Sequence, residues 1–232
     1  MWPSAPLPHT MRYERKFVVN GLPPVAVLAA VRRNPAVFRE AYPPRAVNNV
    51  YLDTPGLRDY FEHVGGAADR TKTRIRWYGA ASGSIERPVL ERKVKRGLVS
   101  GKHSVALPPL SIDGPVSGGA LEALLGAAGL PGLAQAALRL LAPSLVNRYQ
   151  RRYLVSGDGC VRLTIDTDLR FAAPARASRL PPPLPSLADT LILEMKFAPE
   201  HADRAAEITR ALPFRVGRCS KYVLGIQSLT LR

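Results

Sequence analysis

Apolar and polar residues alternate along much of this chain, and a period of two marks a half-buried strand. Tyr13 to Asn20 alternates in this way, and Val47 to Asp53 is rich in Val, Asn and Tyr. Arg70 to Tyr78, Val89 to Lys95 and Ser100 to Leu107 follow, then Val146 to Ser156, Cys160 to Asp168 and Thr190 to Phe197. Turn sequences join several of them, as at Arg96-Gly97-Leu98-Val99-Ser100-Gly101 and Ser156-Gly157-Asp158-Gly159. Helical periodicity fills Pro23 to Arg33, Pro55 to His63, Gly119 to Leu141 with a break at Pro131, and Pro199 to Leu212. Pro55 stands where a first helical turn accepts proline. Leu107 to Gly119 and Ala172 to Pro185 read as loops. The pattern predicts an α+β fold. An eight-stranded antiparallel β-barrel with peripheral helices is expected, because closure removes the unpaired edges of an open sheet. Residues 1–10 read as a flexible lead-in and residues 11–232 as a single domain, since neither loop separates regions of different composition.

Successive strand side chains point to opposite faces, which sorts the charges. Lys72, Arg74 and Arg76 share one face, while Ile75 and Trp77 share the other. Glu91, Lys93 and Lys95 lie together opposite Leu90, Arg92 and Val94. Glu194 and Lys196 oppose Leu193, Met195 and Phe197, and Glu14 and Lys16 oppose Tyr13, Arg15 and Phe17. Arg162, Thr164, Asp166 and Asp168 share a face in a further strand. One charged face is an ordinary solvated surface. An acid followed two residues later by a base recurs as Glu14/Lys16, Glu91/Lys93 and Glu194/Lys196, and a solvated face has no reason to repeat that order.

Composition sharpens this reading. The 232 residues carry 33 Lys+Arg against 18 Asp+Glu, a net charge of +15, which implies polyanionic partners. A bias toward Ala, Arg and Pro could supply the 26 arginines, but it does not explain where the seven lysines sit. Six fall in the expected strands and the seventh, Lys221, follows Ser220. Lysine meets phosphate as a point charge and arginine as a planar fork, so a mixture suits a phosphate-rich ligand. If these faces look into a barrel, like charges ~4 Å apart repel by about 4 kcal/mol at an effective dielectric near 20. A triphosphate with its metal would offset that repulsion, and Glu14, Glu91 and Glu194 offer the hard oxygens that Mg²⁺ or Mn²⁺ prefers.

Other classes fit less well. Nucleic acid is not the expected partner, because the cations spread over many strands, aromatic residues are only 7% and no stacking motif is present. Cys160 and Cys219 make neither a disulfide framework nor a zinc site. Gly97 to His103 superficially matches a phosphate-binding loop but has three residues between its glycines and lies in a hairpin. No apolar run reaches the ~20 residues of a membrane span and no leader peptide is visible, so a cytoplasmic location is expected.

The chain resembles the catalytic domain of the vacuolar transporter chaperone (VTC) polyphosphate polymerases, within the CYTH-like triphosphate tunnel metalloenzyme superfamily. The resemblance is carried by Arg12-Tyr13-Glu14-Arg15-Lys16-Phe17, Val50-Tyr51-Leu52-Asp53-Thr54-Pro55 and Arg74-Ile75-Arg76-Trp77-Tyr78-Gly79. It continues through Leu90-Glu91-Arg92-Lys93, Leu193-Glu194-Met195-Lys196-Phe197 and Ser220-Lys221-Tyr222-Val223-Leu224-Gly225, in order from Arg12 to Ile226. A stand-alone bacterial member is expected, without the membrane span and phosphate-sensing domain of the eukaryotic complexes. The resemblance implies a metal-dependent transferase that moves the γ-phosphoryl of ATP onto polyphosphate with Mn²⁺ or Mg²⁺. It implies that Lys16, Arg74, Arg76, Lys93, Arg148, Arg162 and Lys221 bind the phosphates, with Arg151 and Arg152 close enough to Arg148 for a shift of strand phase to exchange them. Glu194 would hold the metal, with Glu14 and Glu91 as further acids. Lys72, Lys95, Lys102, Lys196 and Ser220 would be further substrate contacts. The acceptor phosphate is already ionised, so no general base is needed. Hydrolysis of a triphosphate on the same fold, or binding of polyphosphate or nucleotide without turnover, are the alternatives. Protein partners cannot be read from the sequence.

Overall fold

The computed structural model describes residues 12–97, 99–176 and 187–230. The lead-in and most of the proline-rich loop lie outside the described residues. Nine strands hydrogen-bond into one antiparallel sheet. Their order is β11 (Val216–Gly217), β1 (Tyr13–Val19), β10 (Leu191–Phe197), β9 (Val161–Ala172), β8 (Ala142–Val155), β2 (Arg39–Asp53), β3 (Arg70–Tyr78), β5 (Val89–Arg96) and β6 (Val99–Ala106). β4 (Gly83–Ile85) and β7 (Leu110–Ile112) form a separate pair.

All eight expected strands belong to the large sheet, and β11 is the ninth, set against Lys16 and Phe17 of β1. The expected closed barrel is corrected: the sheet is open, with β6 and β11 as its edges. It is nevertheless curled. Lys93 Nζ of β5 lies 3.5 Å from Glu14 Oε2 of β1, although five strands separate the two in the sheet. Side chains therefore meet across the interior where backbone pairing does not. The curl makes the charged faces its inner surface.

Two irregularities shape the strands. β2 begins at Arg39, eight residues before the expected start at Val47. Its register against β8 shifts between Glu40 and Tyr42, again across Pro43 and Pro44 between Tyr42 and Arg45, and once more between Tyr51 and Leu52. Proline cannot donate to a ladder, and bulges are where sheets tolerate it. In β9 the register against β8 shifts beside Asp168, which takes a φ of 51°.

The apolar residues divide by face. α1 (Pro24–Arg32) and α5 (Ala202–Arg210) cover the outside of β1, β9 and β10, where Val27, Val31, Ala205 and Ile208 pack with Phe17, Leu163, Leu193 and Met195. α3 (Gly118–Ala127) and α4 (Gly132–Arg139) cover the outside of β2, β3 and β5 with Leu121, Leu125 and Leu138 on Val50, Ile75, Trp77 and Leu90. α6 (Lys221–Thr230) lies on the inner face, where Tyr222 and Ile226 pack with Tyr51, Leu145, Phe171 and Ile192. One part of the interior is thus an apolar plug and the rest is free to be charged. α2 (Arg58–Val64) starts three residues after Pro55, because Leu57 takes a left-handed φ of 55° in a turn closed onto Thr54. The Asp53 carboxylate accepts from the backbone N–H of Asp59 and Tyr60 at 3.0 Å each and so caps this helix. Among the described residues, no helix is long and apolar enough to cross a membrane.

Candidate functional site

The inner face is a wall of cations interleaved with four acids. On β3, Arg74 Nε donates to Glu91 Oε2 at 2.8 Å and its Nη1 to the Tyr51 hydroxyl at 3.3 Å. Arg76 Nε donates to Asn49 Oδ1 at 2.9 Å and its Nη2 to the Tyr149 hydroxyl at 3.2 Å. Lys102 of β6 bonds the other oxygen of Glu91. Across the interior, Arg151 of β8 grips Asp166 of β9 through Nε and Nη2 at 2.6 and 2.7 Å. Lys221, the first residue of α6, lies 2.6 Å from Asp166 Oδ2 and 3.1 Å from Glu194 Oε1. Lys16 Nζ lies 3.6 Å from Glu194 and 3.7 Å from Glu14.

Burial and charge then set the protonation states. Burial alone would raise Glu91, but Arg74, Arg76 and Lys102 pull it down to about 2. Glu194 is likewise driven well below the usual carboxylate range against burial by Lys221, Lys16, Arg151 and Lys196. Both acids are ionised. Lys221 is raised against burial by Asp166 and Glu194.

Lys72 differs from the cations paired above, and burial lowers it as it lowers Lys196. Its ammonium donates to the Ser220 hydroxyl at 2.8 Å and, among the described residues, pairs with no carboxylate. Burial, with Lys16, Arg74, Lys93 and Arg70 nearby, pushes it down to about 7. The wall therefore holds more positive charge than its acids offset, and a polyanion would relieve the excess.

Most of the residues singled out in the sequence meet here. Lys16, Lys93, Lys221, Glu14 and Glu194 form one group of contacts, Arg74, Arg76, Lys102 and Glu91 a second, and Lys72 with Ser220 a third, and the Tyr149 side chain, which meets both Arg76 and Lys221, joins the first two. Lys196 stands opposite Glu14 and Arg162 in register, and Arg162 is exposed at the end of its strand. Lys95 sits near the end of β5 opposite Arg70. Arg148 is not on this face. β8 is regular against β2 from Leu145 to Arg151, so Asn147, Tyr149 and Arg151 point inward and Arg148 outward. Arg148 Nη1 is held by Asn48 Oδ1 at 3.0 Å and the Gly79 carbonyl at 3.1 Å. Arg151 takes the inner position, and strand phase counted from the buried Leu145 is the signal that places it. Asp166 was grouped by alternation with Arg162 and Thr164 but given no role, and it is fully buried between Arg151 and Lys221.

Glu14 and Glu194 both reach the Lys16 ammonium, Glu14 also meeting Lys93 and Glu194 also meeting Lys221 and Arg151. Glu91 is spent on Arg74, Arg76 and Lys102, and among the described residues no three acids, histidines or cysteines converge on a metal-sized point. A divalent ion that takes most of its oxygens from phosphates and water needs only one or two carboxylates, and Glu14 with Glu194 fits that requirement.

Comparison with known proteins bears on this geometry. The family model of the VTC domain matches residues 11–230. No curated protein sequence matches. The fold is similar to that of a candidate adenylate cyclase from Vibrio parahaemolyticus, with a TM-score of 0.52 at 11% identity, over 93% of this chain and 98% of the other. It is also similar to a candidate adenylyl cyclase from Hippeastrum described as having a dominant triphosphatase activity, with a TM-score of 0.51 at 15% identity, over 93% and 96% of the two chains.

Proposed function

The chain belongs to the VTC-domain family, and from that premise we propose that it is a metal-dependent polyphosphate polymerase, moving the γ-phosphoryl of ATP onto a growing chain along the inner wall. The observation that carries this reading is the curled wall itself. Lys16, Lys72, Arg74, Arg76, Lys93, Arg151 and Lys221 reach it from five separate elements, and only part of their charge is neutralised by Glu14, Glu91, Asp166 and Glu194.

Phosphoryl transfer asks a protein mainly to align donor and acceptor and to stabilise charge on the transferred group. Arg74 and Arg76 are fixed by Glu91, Tyr51, Asn49 and Tyr149, so their forks are oriented before a ligand arrives. Lys16, Lys93 and Lys221 add point charges from the facing β1, the neighbouring β5 and α6. Donors held ready in this way lower the barrier without reorganising during the reaction. Glu14 and Glu194 are the residues that would hold Mn²⁺ or Mg²⁺, whose chemistry is to neutralise charge on the phosphate oxygens. An ionised phosphate acceptor needs no proton removed, so no general base is required.

A second reading, hydrolysis of a triphosphate on the same wall, is favoured by the triphosphatase activity of the Hippeastrum neighbour. The test is incubation with ATP and Mn²⁺, resolving polyphosphate on a gel while assaying free phosphate. A ladder that disappears in the Glu194→Gln variant is the expected result. Free phosphate without a ladder would replace the polymerase by the triphosphatase.

A further inference from the structure

Beside the cations of the wall stands a group of side chains that phosphate binding does not use. The Arg45 guanidinium lies over three aromatic rings, 5.4 Å from the centroid of Tyr42, 5.5 Å from Tyr78 and 5.4 Å from Tyr153. Tyr42 and Tyr153 meet edge to face, with centroids 5.9 Å apart. The group is open to solvent: Tyr42 is 57% exposed and Tyr78 48%. Among the described residues Arg45 makes no ion pair.

Register ties this group to the inner wall. Arg45 stands directly opposite Arg151 across the β2–β8 ladder. Tyr153 is two residues beyond Arg151 on β8, and Tyr78 two residues beyond Arg76 on β3. Residues two apart share a face and lie about 7 Å apart along a strand. The inward rows of β3 and β8 therefore change from arginine to tyrosine at the rim, and Arg45 and Tyr42 bridge them from the bulged part of β2.

A bare oligophosphate has no use for exposed aromatic faces. A nucleoside triphosphate has, because a base stacks on aromatic rings and on the plane of a guanidinium. We propose that Tyr42, Arg45, Tyr78 and Tyr153 form a nucleobase site at the rim of the wall, which seats the base of the nucleoside triphosphate donor while its phosphates point toward Arg76 and Arg151. The inference rests on the nucleoside triphosphate reading of the wall and adds to it the residues that seat the donor's base.

Calorimetric titration of the full chain with ATP and, separately, with tripolyphosphate tests it. Tyr42→Ala and Tyr78→Ala should each weaken ATP about tenfold, within the range that alanine substitution of a stacking ring gives. Tripolyphosphate affinity should stay within about twofold, and Tyr42→Phe should restore ATP binding, since the ring rather than the hydroxyl is used. Melting curves confirm that each variant is folded. Equal weakening of both ligands, or no weakening of either, would overturn the nucleobase site while leaving the wall intact. Failure of the unaltered protein to bind tripolyphosphate at all would remove the wall reading and this inference together.

Discussion

At the scale of single residues, the direction of one side chain decides what a mutation does. Arg148 and Arg151 are three apart on β8 and face opposite ways, Arg148 toward Asn48 and Gly79, Arg151 toward Asp166 and Glu194. Arg151→Ala leaves Asp166 buried with Lys221 but without its bidentate partner, and breaking such a pair costs up to about 3–5 kcal/mol. Arg151→Ala is therefore expected to lower the denaturation midpoint strongly and to abolish triphosphate binding. Arg148→Ala should cost about 1 kcal/mol or less and leave affinity unchanged. Equal loss of affinity in the two variants would show that the inner face is assigned wrongly.

Lys72 supplies a second residue-scale prediction, on pH. Its folded value, about 7, is below its ordinary value of 10.5, so between those limits the unfolded chain is protonated and the empty wall is not. Stability from this group is therefore lowest below pH 7 and recovers as pH rises toward 10. A bound oligophosphate raises Lys72 again, so binding at pH 8.5 should take up a proton, up to about one. Calorimetry in buffers of different ionisation enthalpy measures this, and Lys72→Arg, always charged, should remove the uptake and keep the affinity. Identical uptake in both proteins would mean that Lys72 is already charged.

At the scale of elements, alternation made the strands legible and left α6 unread. Hydrophobic period two survives burial on one face, so the eight strands stood out, and the acid–base steps in β1, β5 and β10 pointed to the charged inner face. β11 is two residues long and has no pattern to read. α6 was seen only as a motif, because it packs inside the curl, where polar Lys221 and Ser228 are buried beside Tyr222 and Ile226 and blur an amphipathic stripe. Gly225 is what brings the helix so close. A Cβ there would stand 2.4 Å from Leu145 Cδ2 and 2.6 Å from Phe171 Cδ1. Gly225→Ala gains helix propensity but overpacks the plug, and overpacking costs about 1–3 kcal/mol. A melting temperature lowered by roughly 2–12 °C is expected at ~2–4 °C per kcal/mol for a domain this size. Lys221 starts this helix, so triphosphate affinity should fall with it. An unchanged melting temperature would show that α6 sits more loosely on β8 and β9.

For the whole molecule, the departure from a closed barrel and the excess of charge belong together. The ladder stops at β6 and β11, and β5 meets β1 through an ion pair between Lys93 and Glu14 rather than through backbone bonds. The net charge of +15 opposes that approach, and like charges on facing strands push an open sheet apart. Sequence alternation could place charges on faces but could not weigh this balance, which depends on distances across the interior. A polyanion between the faces would act as the missing closure. Tripolyphosphate at about 100 times its dissociation constant should add about 2.7 kcal/mol and raise the melting temperature by roughly 5–11 °C. The shift at fixed ligand concentration should shrink as NaCl rises from about 50 mM to 500 mM, because exposed cations such as Lys93 and Lys102 are screened and counterions compete with the ligand. The core pair of Arg151 and Asp166 is buried and escapes that screening, so the unliganded melting temperature should respond to salt much less than the ligand-induced shift. A ligand shift that is absent at low salt would mean that the four inner acids already balance the wall, and the case for an anionic ligand would fall with it.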